Sequence, residues 1–97
     1  METYMVVRRR AWPMRGDAYE AADRATVEAM GLSEMVAWTR SYIVEETDGT
    51  VGSICIYEAE SPEAIRRHSA AAELPVDEIV KVADAVIVRT DSVAAVP

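Results

Sequence analysis

The chain has little of several residues that would point to a familiar class of protein. Its 97 residues include one cysteine and one histidine, so an internal disulfide and a cysteine-rich zinc motif are excluded. There is no charged-then-apolar leader and no apolar run of about 18 residues, so neither export nor membrane insertion is expected. We therefore expect a cytoplasmic protein with a single domain in residues 1–89 and a flexible tail in residues 90–97.

Positive charge is also scarce. Ten Lys and Arg stand against seventeen Asp and Glu, for a formal net charge of -7, which argues against nucleic acid as a partner because phosphate binding needs clustered cations. The one basic run, Arg8 to Arg10, ends a strand-like segment whose side chains alternate between faces. It indicates a solvated strand end paired with acidic residues, and a site for an anionic ligand is the alternative.

Aromatic residues make up 6% of the chain, whereas hydrophobic residues make up 51%. A core can therefore form, built largely from Val, Ile, Ala and Met. Because a small domain buries a smaller fraction of its surface than a large one, association with a second copy is an efficient way to bury more.

The order of secondary-structure elements is the strongest signal in the chain. β-Branched and alternating segments predict strands, alanine-rich and capped segments predict helices, and Asp48-Gly49 predicts a hairpin turn. The order is strand, helix, strand, strand, helix, strand, which predicts an α+β ferredoxin-like βαββαβ sandwich: a four-stranded antiparallel sheet with two helices on one face, of the dimeric α/β barrel type. The predicted strands are residues 3–9, 35–46, 51–58 and part of 77–89, and the predicted helices are residues 17–30 and 62–74.

The helix ends carry recognisable signals. Ser61 is a good N-cap and Pro62 fits the first helical position, where no N–H is needed. Asp17 and Gly31 are read as the N-cap and C′ residue of the first helix. That helix also carries a stripe of small residues, which would let it lie close to a sheet: Ala18, Ala22, Ala25 and Ala29.

The two faces of the sheet can be assigned from alternation along the strands. We expect Ile54, Ile56 and Glu58 to face the helices, and Cys55 and Tyr57 to lie on the open face. Such an open face would be a larger apolar patch than a monomer normally exposes, which predicts a homodimer formed sheet to sheet. Its aromatic members would be Trp38, Tyr42 and Tyr57.

Four segments of the chain form a recognisable pattern: Ser41-Tyr42-Ile43, Cys55-Ile56-Tyr57-Glu58-Ala59, Ser61-Pro62-Glu63-Ala64-Ile65-Arg66-Arg67-His68 and Leu74-Pro75-Val76-Asp77-Glu78-Ile79. They resemble a small bacterial family of unknown function whose members are often labelled nickel-binding proteins. The resemblance covers roughly residues 3 to 88, and its most specific part is the strand–helix segment that contains Cys55 and His68. It implies a ferredoxin-like fold, a homodimer and a nickel site, and it implies no reaction. Glu73 departs from the pattern, since a helix-ending glycine is expected there.

The leading functional hypothesis is that the chain binds nickel or another divalent transition metal. Imidazole and thiolate are suitable ligands for such ions, and His68, Glu58 and Cys55 are the candidate ligands. Since His68 and Glu58 are expected on the helix side, they form the predicted pair, with Cys55 on the dimer side. The structural alternatives are a helix-margin histidine and a small buried cysteine that acts as a hydrophobe.

A second hypothesis is a dimeric ferredoxin-like barrel that binds or transforms a small molecule between sheet and helices. His68, Tyr57, Glu58 and Arg40 would then supply an acid, a base and an anion anchor. The sequence contains no HExxH, P-loop, GxSxG or GxGxxG motif. An enzyme is therefore a weaker hypothesis than a metal-binding protein. The third hypothesis is a purely structural or protein-interaction module.

Overall fold

The computed structural model describes residues 1–31 and 35–89 of the chain, without the side chains of residues 28–31. Four strands and two helices follow one another in the predicted order: strand, helix, strand, strand, helix, strand. Their bounds are β1 Glu2–Trp12, α1 Arg15–Gly31, β2 Val36–Glu45, β3 Val51–Ala59, α2 Pro62–Ala71 and β4 Glu78–Lys81.

The strands form one antiparallel sheet in the order β2-β3-β1-β4. The two central strands, β1 and β3, are thus distant in sequence, whereas β2 and β3 form the hairpin that the Asp48-Gly49 turn predicts. This α+β architecture, with four antiparallel strands and two helices, is compatible with the predicted ferredoxin-like sandwich.

Both helices pack on the same face of the sheet. The central core on that face joins residues of the strands with Ala64 and Ile65 of α2. α1 contributes Ala18, Ala21 and Ala25, each 1% exposed. The strand residues of this cluster are Tyr4, Val6, Val36, Cys55, Tyr57 and Ala59.

The expected assignment of the two faces is wrong. Cys55 and Tyr57 are buried beneath the helices, whereas Ile54 and Ile56 are half-buried on the opposite face and Glu58 is exposed there. Alternation separates the two sets of residues, but both sets contain apolar side chains, so the pattern alone does not identify the set that the helices cover.

An irregularity in β2 changes which of its side chains lie together. The register of β2 against β3 shifts between Trp38 and Arg40, and such an extra residue reverses the alternation on one strand. Trp38 therefore lies on the helix side with Ser41, opposite Tyr57 and Cys55 of β3. The expected grouping of Trp38 with Tyr42 on the open face is wrong for this reason.

The far end of β1 also leaves the regular ladder. Its register against β3 shifts between Arg8 and Trp12, and Arg10 has a positive φ of 47°. Here carboxylates replace strand partners: the Arg9 amide donates to Asp77 at 2.6 Å and the Arg10 amide to Glu46 at 2.8 Å. The irregular end is thus held by acidic side chains from elsewhere in the chain.

The start of α2 follows the prediction, whereas the helix ends at Ala71, before the predicted bound at residue 74. Ser61 accepts from the Ala64 amide and Pro62 begins the helix. Beyond the helix, Glu73 lies in the left-handed region, φ 57°, and the Leu74 amide donates to the Ser69 carbonyl at 2.8 Å, as in a Schellman cap. Glu73 thus occupies the position that favours glycine.

The remaining expectations need small corrections. α1 begins at Arg15, so Asp17 lies in its first turn and is not its N-cap, and Gly31 is its last residue. The predicted last strand is reduced to Glu78–Lys81, and residues 82–89 form no strand. The predicted tail, residues 90–97, and the side chain of Ala29 lie outside what the structure describes. No helix in the described part is long and apolar enough to span a membrane.

Candidate functional site

A pocket lies between α1 and the sheet. The pocket is open to solvent at its mouth, and the centres of water molecules can occupy about 20 Å³ of it. Four alanines of α1 form one wall, and their small side chains leave the space open: Ala18, Ala21, Ala22 and Ala25. Both tryptophans of the chain, Trp12 and Trp38, also line it.

Arg8 is the charged residue of this pocket. It follows Tyr4 and Val6 on the helix side of β1 and is 1% exposed. Its guanidinium donates to Cys55 Sγ at 3.3 Å and to Ser69 Oγ at 2.9 Å, and Nε has no partner. Among the side chains that the structure describes, no carboxylate forms an ion pair with it. Arg8 is therefore a buried cation without a buried anion.

Cys55 is held by polar neighbours and does not pack simply as a hydrophobe. Ser41 donates its hydroxyl to Sγ at 2.9 Å, and Trp38 Nε1 donates to Ser41 Oγ at 2.6 Å. Ser53 lies 3.6 Å from the same sulfur. Together with Arg8, these contacts place the sulfur at the centre of a polar cluster on the pocket wall.

Tyr57 lies beside this cluster and is 0% exposed. Its ring stacks on Trp38, with centroids 6.2 Å apart and planes inclined by 13°, and its hydroxyl has no hydrogen-bond partner. Burial raises the pKa of Tyr57 to about 12, against which the positive charge of Arg8 acts. The phenol is thus protonated at neutral pH and carries an unused O–H donor.

His68 is a fully buried histidine beneath α1. Its Nε2 lies 2.8 Å from the Ala25 carbonyl oxygen, and because a carbonyl can only accept, the proton is assigned to Nε2. Nδ1 then has a free lone pair and no partner. The ring meets Tyr57 edge to face at 5.6 Å, but His68 does not line the pocket.

The three candidate metal ligands do not come together as expected. Cys55 and His68 are both on the helix side of the sheet, whereas Glu58 is exposed on the opposite face. The expected pairing of His68 with Glu58, with Cys55 apart, is therefore reversed. Across the part of the chain that the structure describes, no three His, Cys, Asp or Glu side chains are grouped closely enough to hold a metal ion.

The other candidates divide between the faces in the same way. Arg40, considered as an anion anchor, lies on the open face and donates to the Tyr42 hydroxyl at 3.0 Å. For the run that contains Arg8, the sequence favours a solvated strand end and offers an anionic-ligand site only as the alternative, so it does not single out Arg8 as a buried site residue. The signal that could have found it is its alternation with Tyr4 and Val6, which places it on one face with two apolar residues.

These features define a small α+β sandwich with a polar cluster inside a pocket between sheet and helix. The chain belongs to the family described as nickel responsive protein SCO4226-like, whose model matches residues 4–82. This confirms the resemblance seen in the sequence. The crystal structure of SCO4226 from Streptomyces coelicolor A3(2) has the same fold, with a TM-score of 0.66 and 23% sequence identity over 87% of this chain and 99% of that chain. No curated protein matches the sequence.

Proposed function

We propose that this domain is a ligand-binding protein whose site is the pocket between α1 and the sheet. The observation that carries the proposal is the composition of the wall: alanines and tryptophans with a few convergent polar groups, among them Arg8 and Tyr57. Ligand sites in proteins are typically concave, mostly apolar and equipped with a few placed polar groups. Binding is favoured over catalysis because the sequence contains none of the common catalytic motifs.

The position of both tryptophans makes this proposal testable by intrinsic fluorescence. Protein purified without a tag should carry a small molecule visible in native mass spectrometry, and its release should change the emission of Trp12 and Trp38. Ala22→Leu, on the pocket wall, should reduce occupancy at least about tenfold. Glu20→Leu, on the exposed side of the same helix, should not. Equal occupancy in the two variants would remove the pocket from consideration.

A divalent transition metal, nickel first, is the second candidate ligand. The family description supports it, and so does His68, whose N–H donates to a backbone carbonyl while the other ring nitrogen keeps its lone pair. This arrangement is typical of histidines that bind metals. Cys55 lies on the same side of the sheet and would supply a thiolate. Glu58 lies on the opposite face, so it would not share that site.

The positive charge of Arg8 makes a metal ion the less favoured of the two candidate ligands. Arg8 already donates to Cys55 Sγ at 3.3 Å, and a divalent cation at that sulfur would be repelled by the guanidinium. A metal bound by His68 and Cys55 would also need ligands beyond these two.

Titration of untagged protein with nickel distinguishes the two candidates. If the metal hypothesis is right, nickel should bind with a near-ultraviolet thiolate absorption band that is lost in Cys55→Ser, and His68→Gln should weaken binding at least about tenfold. Glu58→Gln, on the other face, serves as the control. Nickel binding without the band, or undiminished in both Cys55→Ser and His68→Gln, would contradict it.

The open face of the sheet supports a homodimer of the dimeric α/β barrel type. Ile54 and Ile56 are half-buried there, and Tyr42 and Val80 are 46% and 36% exposed. Removing this apolar surface from water would stabilise association.

Sedimentation at micromolar concentration tests the dimer. Ile56→Lys should weaken association at least about tenfold, because it would bury an unpaired charge in the interface. Val27→Lys is the control, since Val27 is 66% exposed on α1. A wild-type monomer at these concentrations would contradict the dimer and leave the ligand pocket as an intramolecular site.

A further inference from the structure

The buried guanidinium of Arg8 is the least balanced charge in the described structure. Its side chain is 1% exposed, yet its two hydrogen bonds reach a sulfur and a hydroxyl, and Nε has none. Removing a cation from water is costly unless an anion and further hydrogen bonds compensate it. Each unsatisfied buried group in a native structure requires a reason, and an absent ligand is one.

A shortage of acidic residues is not the reason. The chain has seventeen Asp and Glu for ten Lys and Arg, and the next two arginines in β1 are paired: Arg9 with Glu46 at 2.8 Å and Arg10 with Asp48 at 3.2 Å. The side chains of Arg9 and Arg10 are both more than half exposed. Among the described residues, carboxylates thus pair with the exposed Arg9 and Arg10, and none pairs with the buried Arg8.

The groups around Arg8 complement an anion more than a cation. Tyr57, which also lines the pocket, has a protonated hydroxyl with no partner. Two unused donors, Arg8 Nε–H and Tyr57 O–H, therefore belong to side chains on the wall of one pocket. A guanidinium binds a carboxylate through charge-assisted hydrogen bonds, which are about twice as strong as neutral ones.

We propose that the pocket binds a small carboxylate, whose anionic group pairs with Arg8 and accepts from Tyr57 while its apolar body lies against the α1 alanines. This inference rests on the proposed function, because it names the ligand class for the same pocket. The centres of water molecules can occupy about 20 Å³ of the pocket, and its mouth opens to solvent, so the ligand is limited to a small carboxylate whose body lies at the mouth against the α1 alanines.

One alternative source of negative charge is inside the protein. If Cys55 were a thiolate, its sulfur, 3.3 Å from Arg8 Nη1, would serve as the counterion and no ligand would be needed. The two cases differ in what a Cys55→Ser variant does, because serine keeps a polar atom at that position but cannot supply the charge.

Matched acids and amides test the inference with untagged protein. Acetate, succinate and benzoate are compared with acetamide, succinamide and benzamide by tryptophan fluorescence and native mass spectrometry, with inorganic phosphate as a second kind of anion. At least one acid should bind at least about tenfold more tightly than its amide, as a charge-assisted hydrogen bond provides. Arg8→Met should abolish that preference, and Arg66→Met, which removes a charge from an exposed position of α2, should preserve it.

Tyr57→Phe keeps the test decisive if Arg8→Met does not fold. It removes a hydroxyl that lies near Arg8 without a well-formed hydrogen bond, so the fold loses little, while carboxylate affinity should fall several-fold. A purely structural role for Tyr57 would leave that affinity unchanged.

The remaining outcomes separate the two proposals. Equal binding of acids and amides overturns the anion inference and leaves the ligand pocket standing. Phosphate binding without any carboxylate, or carboxylate binding that only Cys55→Ser creates, also overturns it. Absence of binding by every acid, amide and phosphate, with no co-purified ligand, overturns both.

Discussion

Arg8 and Arg9 are neighbours in the sequence but lie on opposite faces of β1. Arg9 is exposed and makes three hydrogen bonds with the Glu46 carboxylate, whereas Arg8 is buried and meets no carboxylate in the described part of the chain. The same residue type thus has a structural role on one face and an unbalanced charge on the other. The surroundings of each side chain, and not its membership of a basic run, therefore indicate where a ligand would bind.

The two faces differ in their apolar residues as well. Ile65 packs on the helix side and is 0% exposed, while Ile54 is half-buried on the open face. The helix-covered face is therefore a core with a pocket in it, and the open face is a surface that a second chain would complete.

Truncation of one isoleucine on each side should give the largest difference. Ile65→Ala should lower the free energy of unfolding by about 2–5 kcal/mol through lost burial and a residual cavity. Ile54→Ala should cost about 1 kcal/mol, since half of its surface remains in water. Urea denaturation at low protein concentration measures both. Equal losses would mean that the two faces are equally covered in solution.

Gly52 of β3, which packs closely against the backbone of Arg8, should be the position where substitution has the next largest effect on stability. A Cβ at Gly52 would collide with the Arg8 carbonyl oxygen and lie 3.0 Å from Glu46 Oε2. Gly52→Ala should therefore lower the free energy of unfolding by about 1–3 kcal/mol. Gly16→Ala is the control, because nothing lies within 4 Å of its Cβ and alanine favours the helix by about 0.5–1 kcal/mol. A similar thermal midpoint for both variants would contradict the close approach.

The pair of Arg9 and Glu46 should make the stability of the protein depend on acid. Hydrogen bonds from Arg9 and from the Arg10 amide hold the pKa of Glu46 at about 2, below its ordinary value of 4.5. The folded state thus binds its proton later than the unfolded state, so this contribution to stability is complete above about pH 4.5 and is lost as the pH falls towards 2. Glu46→Gln should lower stability at pH 7 and flatten its decline below pH 4.5 in urea titrations. Glu20→Gln, on α1, should leave the profile of the wild type.

The smallest change in the free energy of unfolding is expected at the C-terminal end of α2. Glu73 adopts a φ of 57°, a conformation that costs a residue with a Cβ about 1–2 kcal/mol. Glu73→Gly should therefore raise the free energy of unfolding by about 1 kcal/mol. In Glu63→Gly, within the first turn of the same helix, the same exchange should lower it. A loss in both variants would show that Glu73 contributes a contact that outweighs its backbone cost.

Much of the fold could be predicted from the sequence because local signals agree with it. The alternating segments, the Asp48-Gly49 turn and the Ser61-Pro62 helix start act over a few residues and are satisfied within them. Even the strained cap at Glu73 was visible as a missing glycine. The family was likewise recognisable from segments that include Cys55 and His68.

The positions of the candidate site residues depend on contacts between parts of the chain that are distant in sequence. Both faces of β3 carry apolar side chains, so the choice between them rests on how the helices pack, and the irregularity between Trp38 and Arg40 reverses the alternation of β2 without a sequence signal. For these reasons Glu58 was placed with His68, and Cys55 and Tyr57 were placed on the open face.

Sequence alone sets the order of elements, the turn, the start of α2 and the charge balance, since these depend on neighbours along the chain and on composition. Packing of the sheet and helices sets which face is covered. It also buries Arg8 with no carboxylate partner among the described residues and brings it to Cys55 and Ser69, which are 47 and 61 positions away. Burial and charge pairing depend on residues brought together from distant parts of the chain. They are therefore properties of the packed sheet and helices.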